Sequence, residues 1–208
     1  LGKTGHGIEE HFGMPGAIDI KMGTLSKTIP SVGGYIAADR DTVMYLKHSA
    51  RAFVFSAALP PAQVAAAKAS LEVIEEEPWR IEKLRRNVRL FIDGLKARGF
   101  DTLQSETAIV PIICGKDERT LMMTKLAQER GLFVLPVLSP AVPPGTSRIR
   151  AAVTAAHTEE DIDQALDILE QAGRMVRVIR RKPKGAAAAS CVPRSEERRV
   201  GKECRLLC

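Results

Sequence analysis

Apolar and polar positions change their rhythm several times along this chain. From Ala17 to Met22 the apolar residues Ile18, Ile20 and Met22 alternate with polar ones, the period of a strand, and Gly23 ends the run. Val32 to Ala38 predicts a second short strand, entered through Gly33-Gly34. Asp41 to Arg51 predicts a helix with an aspartate cap and apolar residues at Val43, Met44 and Leu46. Pro60-Pro61 opens a long helix in which Val64, Ala67, Leu71 and Ile74 recur every three to four residues, closed by Glu75 to Glu77 and Pro78. The next helix, about 79 to 98, sets Ile81, Leu84, Val88, Phe91, Ile92 and Leu95 on one stripe and stops at Gly99.

After Gly99 strands and helices alternate more tightly. Strand Ala108 to Cys114, helix Asp117 to Arg130, strand Leu132 to Leu138, a Pro-rich loop, strand Arg148 to Ala155 and a helix from Thr158 to about Arg177 follow in turn. Thr158-Glu-Glu-Asp161 resembles a capping box. The pattern predicts an α/β chain of two units with a boundary near 99 to 105, and no internal repeat is evident.

The final stretch changes the picture of charge. The chain has 208 residues and a net charge of +6, which alone would suggest a polyanion partner. Residues 180–208 hold nine Lys and Arg against three Glu and account for all of it, leaving 22 basic and 22 acidic residues that cancel in 1–179. Cys191, Cys204 and Cys208 lie there too, without CxxC spacing or a nearby His, so a metal site is not expected; Cys114 is alone in the body. Ala186 to Ala189 is low-complexity, and Arg194 to Cys204 resembles the in-frame translation of a sequencing adapter. We read 180–208 as a basic tail outside the fold, disordered or artefactual, and expect no nucleic-acid partner; with aromatics at 4% a base-stacking platform is not expected either. No apolar run approaches the ~20 residues of a membrane span, and a cytoplasmic domain is expected. Leu1 to Gly7 opens inside a glycine-rich loop, which reads as a chain lacking its N-terminal part.

The segment richest in chemistry is Asp19-Ile-Lys-Met-Gly-Thr-Leu-Ser-Lys27-Thr-Ile-Pro-Ser-Val-Gly-Gly-Tyr35. Lys27 follows a strand and a Gly-Thr turn, with hydroxyls at minus three, minus one and plus one. A lysine on a turn beside neutral groups suits a Schiff-base amine. Thr24 and Ser26 can donate to a phosphate, and Gly23, Gly33 and Gly34 let backbone approach a ligand. A solvated surface turn would carry the same residues.

Gly23-Thr-Leu-Ser-Lys27 followed by Gly33-Gly34-Tyr-Ile-Ala resembles the lysine motif of the α-oxoamine synthases. These are fold-type I, aspartate aminotransferase-like enzymes that use pyridoxal 5'-phosphate. Gly5-x-Gly7-Ile-x-Glu10-His11 resembles their glycine-rich loop, and Phe53-x-Phe55-Ser56-Ala57-x-Leu59-Pro60-Pro61 their segment after the lysine. Val142-Pro-x-Gly145 through Arg148-Ile-Arg150 to Ala156-His157-Thr158 resembles their C-terminal strand. The resemblance runs collinearly from residue 1 to about 177. It implies that 1–99 is the C-terminal part of a cofactor-binding large domain with its connecting helix, and 100–179 a small α/β domain. Lys27 would carry the cofactor and act as acid and base, while Thr24, with Ser26 beside the lysine, would meet its phosphate. Ser56, with Ala57 beside it, would reach the phosphate held by a neighbouring subunit, which implies a homodimer. Arg150, with Arg148 as its neighbour, would clamp the substrate carboxylate, since a guanidinium pairs with it bidentately. The implied reaction condenses an amino acid with an acyl-CoA, releasing CoA and usually CO2, most like 8-amino-7-oxononanoate synthase. Glycine C-acetyltransferase, serine palmitoyltransferase and aminotransferase chemistry are the alternatives. The family's pyridine-pairing Asp and ring-stacking His would lie upstream of Leu1, so the chain by itself is expected to be nearly inactive.

Thr28-Ile-Pro-Ser31 departs from the family's usual Ala-Phe/Leu-Gly, with Pro30 where Gly is commoner, which affects the backbone course after Lys27. His11 and His157 sit inside family motifs yet suit structural hydrogen bonding equally well; His6 and His48 read as surface residues. Glu75 to Glu77 reads as a solvated helix end, and Met122-Met123 as packing.

Overall fold

The computed structural model describes residues 1–179. Strands β1 (Lys21–Ser26) and β2 (Pro30–Ala37) form an antiparallel hairpin. Ser26 pairs with Pro30 across a three-residue loop, and the register shifts between Thr24 and Ser26. Pro30 takes the first position of its strand, where its missing N–H costs no ladder bond. The strand expected over Ala17–Met22 therefore lies four residues later. Ile18, Ile20 and Met22 are all exposed, so their alternation finds no core among the described residues. Glu9 takes up the approach instead: its carboxylate accepts from Ile18 N at 2.9 Å and pairs with Lys21 Nζ at 2.7 Å.

A short helix, α1 (Ile8–Phe12), precedes the hairpin; its five residues were hidden in the glycine-rich motif. The helix expected over 41–51 is broken at Ala50, which is extended, into α2 (Arg40–Ser49) and α3 (Arg51–Val54). Its cap is Asp39, whose carboxylate accepts from Asp41 N and Thr42 N, both at 2.9 Å. α4 (Pro61–Glu76) starts on Pro61, and α5 (Trp79–Ala97) buries Val88, Phe91, Ile92 and Leu95.

The second sheet has strand order β3-β5-β4, antiparallel throughout: β3 (Ile109–Gly115), β4 (Leu135–Val137) and β5 (Ser147–Ala152). Helices α6 (Asp117–Gln128) and α7 (Glu159–Met175) complete it. β4 is shorter than the expected 132–138 because the chain before it finishes α6. Leu132 N bonds Ala127 O at 3.0 Å, and Gln128 Nε2 bonds Val134 O at 2.9 Å. Alternate residues of β5, namely Ser147, Ile149 and Ala151, face a core shared with Val110, Ile112, Leu95, Met123 and Leu169. Burying each of the larger side chains contributes about 1.5–3 kcal/mol. The capping box at Thr158 and Asp161 forms as the sequence suggested.

A second, smaller cluster joins Leu25 and Ile29 of the hairpin to Ala67 of α4, with Leu59 against it.

Candidate active site

The hairpin tip brings three polar side chains together. Lys27 Nζ donates to Ser26 Oγ at 3.2 Å, and Ser26 Oγ lies 3.0 Å from Thr24 Oγ1. All lie at the surface, on the rim of the turn. Behind them the backbones of Gly23 and Gly34 run close: a Cβ on Gly34 would sit 2.8 Å from Gly23 O. Two hydroxyls and an amine beside bare backbone form a donor set suited to a phosphate and an aldehyde, so these residues fit pyridoxal phosphate.

The segment following the lysine reaches the same region through its apolar end. Ser56 closes α3, its hydroxyl donating to Ala52 O at 2.5 Å, and Ala57 follows it, exposed. Three residues on, Leu59 packs against the hairpin cluster. No hydrogen bond among the described residues links Ser56 or Ala57 to Lys27.

Arg148 and Arg150 lie on the outer face of β5, opposite the core-facing Ile149. Arg148 is tethered, its Nε donating to Thr146 O at 3.0 Å. Arg150 is exposed and has no ion pair or side-chain hydrogen bond among the described residues. The two hydrogen bonds between α5 and the segment after β5 come from one residue that sequence reasoning passed over. Asn87, 1% exposed, donates from Nδ2 to Thr154 O at 3.0 Å and His157 O at 2.9 Å. Its signal was a lone amide inside the apolar stripe of α5. His157 Nδ1 accepts from Thr154 N at 3.3 Å, a structural role.

Glu10 organises the glycine-rich loop, accepting from Thr4 N at 2.8 Å, Thr4 Oγ1 at 2.9 Å and His6 N at 3.1 Å. Burial alone would push its carboxyl up, but these donors outweigh it and hold it below the usual value. His11 packs edge-on to Phe12, with ring centroids 4.8 Å apart. A cavity of about 730 Å³ lies between this loop and α5, lined by His11, Thr28, Arg85, Arg89 and Glu106 among others. Burial pushes the Cys114 thiol up, which makes it an inert core residue. The remaining cysteines lie outside the described residues, and among the described residues no cluster of His, Cys, Asp or Glu could hold a metal. No described helix is long and apolar enough to cross a membrane.

Residues 4–169 match the family model for aminotransferase class I and II. The chain belongs to that family. It is 43% identical over 179 residues to an 8-amino-7-oxononanoate synthase of Thermoanaerobacter pseudethanolicus, covering 86% of this chain and 45% of that one. It is 39% identical over 175 residues to a serine palmitoyltransferase of Bacteriovorax stolpii, covering 84% and 42%. A serine palmitoyltransferase solved with its PLP internal aldimine superposes with a TM-score of 0.81 at 34% identity, over 86% of this chain and 46% of that one. The chain thus spans about half the length of the relatives it matches. The likeness to α-oxoamine synthases and the fold-type I, aminotransferase-like α/β fold both hold.

Proposed function

We propose that this chain is part of a pyridoxal-phosphate-dependent acyl-CoA:amino acid C-acyltransferase, most like 8-amino-7-oxononanoate synthase. The reading rests on the convergence of Lys27, Ser26 and Thr24 at one hairpin tip, in a family member whose relatives carry that name. A serine palmitoyltransferase-like reaction is the second reading, favoured by the structural likeness at 34% identity.

In this reading residues 1–99 belong to the large, cofactor-binding domain and 100–179 to the small domain. Lys27 Nζ holds the cofactor's carbon end, and Thr24 and Ser26 hydroxyls donate to its phosphate. Bound pyridoxal phosphate supplies a sink for the electron pair left at the amino acid's Cα. Lys27 takes the Cα proton and later returns one, a task for an amine on a turn free to swing. Arg150 clamps the carboxylate bidentately, and its lack of a competing partner among the described residues suits that role. Arg148, tied to Thr146 O, steadies the strand beside it. Ser56 and Ala57 serve the cofactor phosphate of a second subunit, which makes the working protein a homodimer. The setting is cytoplasmic.

The test is CoA-thiol release by the full-length protein with pyridoxal phosphate, crossing glycine, alanine and serine with acetyl-, pimeloyl- and long-chain acyl thioesters. Release with one amino acid, lost in Lys27→Ala, supports the reading and names the branch. Absence of release from every pair, with the cofactor bound at Lys27, overturns it in favour of another reaction on the same fold.

A further inference from the structure

We propose that Gln63 is a positioning residue for Lys27, acting through Ser31; this rests on the reading of Lys27 as the cofactor-bearing lysine. Across β1, β2 and their loop, three side chains are buried: Leu25, Ile29 and Ser31, at 7%, 8% and 9% exposure. They bracket Lys27 at two residues before, two after and four after. The loop that presents the amine is thus held from both sides, while the amine itself stays exposed.

Leu25 and Ile29 dock on Ala67 and Leu59, but apolar burial is non-directional and fixes depth better than orientation. The directional contact is at Ser31. Its Oγ lies 2.8 Å from Gln63 O and 3.1 Å from Gln63 Oε1. One hydroxyl hydrogen cannot serve two oxygens fully. With the amide turned so that its NH2 faces the hydroxyl, Ser31 gives its hydrogen to the carbonyl and accepts one from the side chain, and both atoms are satisfied. Ser31 N in turn bonds Ile29 O at 3.0 Å, so the clamp closes on the loop two residues from Lys27.

Gln63 also sits in the first turn of α4, its N–H bonded to Pro60 O at 2.9 Å. The segment entering that turn carries Ser56 and Ala57. One side chain therefore joins the hairpin bearing Lys27 to the segment proposed to serve the second cofactor. Gln63 touches no reacting atom; its effect is on where the Lys27 amine points.

The experiment uses the full-length protein, pyridoxal phosphate and borohydride trapping, with mass-spectrometric quantification of adduct at each lysine. Lys68 of α4, 78% exposed, is the internal reference, so loss of protein or reagent cancels. In the wild type Lys27 is trapped in preference to Lys68. Gln63→Ala and Ser31→Ala each lower the Lys27-to-Lys68 ratio about three- to tenfold, the worth of one hydrogen bond. Ser31→Thr keeps the hydroxyl and retains at least half of the wild-type ratio, whereas Gln63→Glu, whose carboxylate cannot donate to that hydroxyl while ionised, falls with the alanine variants. An unchanged ratio in the alanine variants overturns the proposal. Equal loss in Ser31→Ala and Ser31→Thr overturns it too, since the packing of the helix turn and not the bond would be responsible. No preference for Lys27 in the wild type removes the reading of Lys27 itself, and the proposal with it.

Discussion

Ser26 receives the Lys27 amine at 3.2 Å while standing 3.0 Å from the hydroxyl of Thr24. The lysine is thereby linked to both proposed phosphate donors without any buried contact. Ser26→Ala removes the shared hydroxyl of that trio. A hydrogen bond to a charged group contributes about 1.5–3 kcal/mol, so pyridoxal phosphate binding should weaken by roughly tenfold or more. Thermal stability should barely move, because the side chain is exposed. An absorbance titration of the full-length protein reads the affinity, and unchanged binding would remove Ser26 from the site.

The two arginines of β5 separate in the same experimental system. Arg150 is unencumbered among the described residues, whereas Arg148 already donates to Thr146 O. Arg150→Lys keeps the charge and loses the planar fork, so KM for the amino acid should rise about tenfold while kcat changes less. Arg148→Lys should leave KM within about twofold. Steady-state kinetics of the full-length enzyme decide it, and the reverse ranking would exchange the two roles.

Legibility from sequence followed burial. The α5 stripe, the Thr158 cap and the β3, α6, β5, α7 order were readable because one core rewards their periodicity: Leu95, Val110, Ile112, Ile149 and Leu169 meet in it. The hairpin misled because Ile18, Ile20 and Met22 alternate without a described core to face, so pairing with β2 set the strand. Lys27, Thr24 and Ser26 were recognisable from their motif, and their convergence needed only a turn. Ser31 with Gln63, 32 residues apart, and Asn87 with Thr154, 67 apart, are long-range polar contacts that local pattern cannot forecast.

Acid should loosen the glycine-rich loop. Glu10 is held below the ordinary carboxylate value by the Thr4 and His6 donors, which outweigh its burial. A carboxyl depressed by folding stabilises above its unfolded value and loses that contribution as pH falls through the folded one. The loop is therefore fully held at neutral pH, and the hold is lost only as the pH falls below the ordinary carboxylate range. Glu10→Gln mimics the protonated form, since an amide oxygen cannot replace both carboxylate oxygens. Hydrogen exchange at Thr4 and His6 should quicken in the variant at neutral pH; protection equal to wild type would show the glycines hold the loop alone.

Asn87 should matter to stability more than its single amide suggests. Its Nδ2 serves two carbonyls, Thr154 O and His157 O, from a position 1% exposed. Asn87→Ala strands both, each at a cost of about 1–3 kcal/mol if water cannot reach it. Asn87→Asp is worse, because its oxygens accept and cannot donate while ionised. Urea unfolding should show losses of about 2–4 kcal/mol for the alanine variant and more for the aspartate. A loss under about 1 kcal/mol would mean that water reaches the carbonyls.

Gly94 tests how closely α5 and α7 are packed. A Cβ built there would lie 2.3 Å from Leu166 Cδ1, and Leu166 is 2% exposed. Two effects oppose each other in Gly94→Ala. Alanine favours the helix interior by about 1 kcal/mol over glycine. The clash must be relieved by moving Leu166 inside a filled core, and overpacking of this kind costs about 1–3 kcal/mol. Because Leu166 is enclosed, the second effect should win, and the variant should lose about 1 kcal/mol, seen as a lower urea midpoint with an unchanged slope. Pairing it with Leu166→Ala should recover the helix gain, since the new methyl then occupies space that the leucine has left. The double variant should accordingly be more stable than Leu166→Ala alone. If Gly94→Ala stabilises by itself, the α5–α7 contact is looser than these distances indicate.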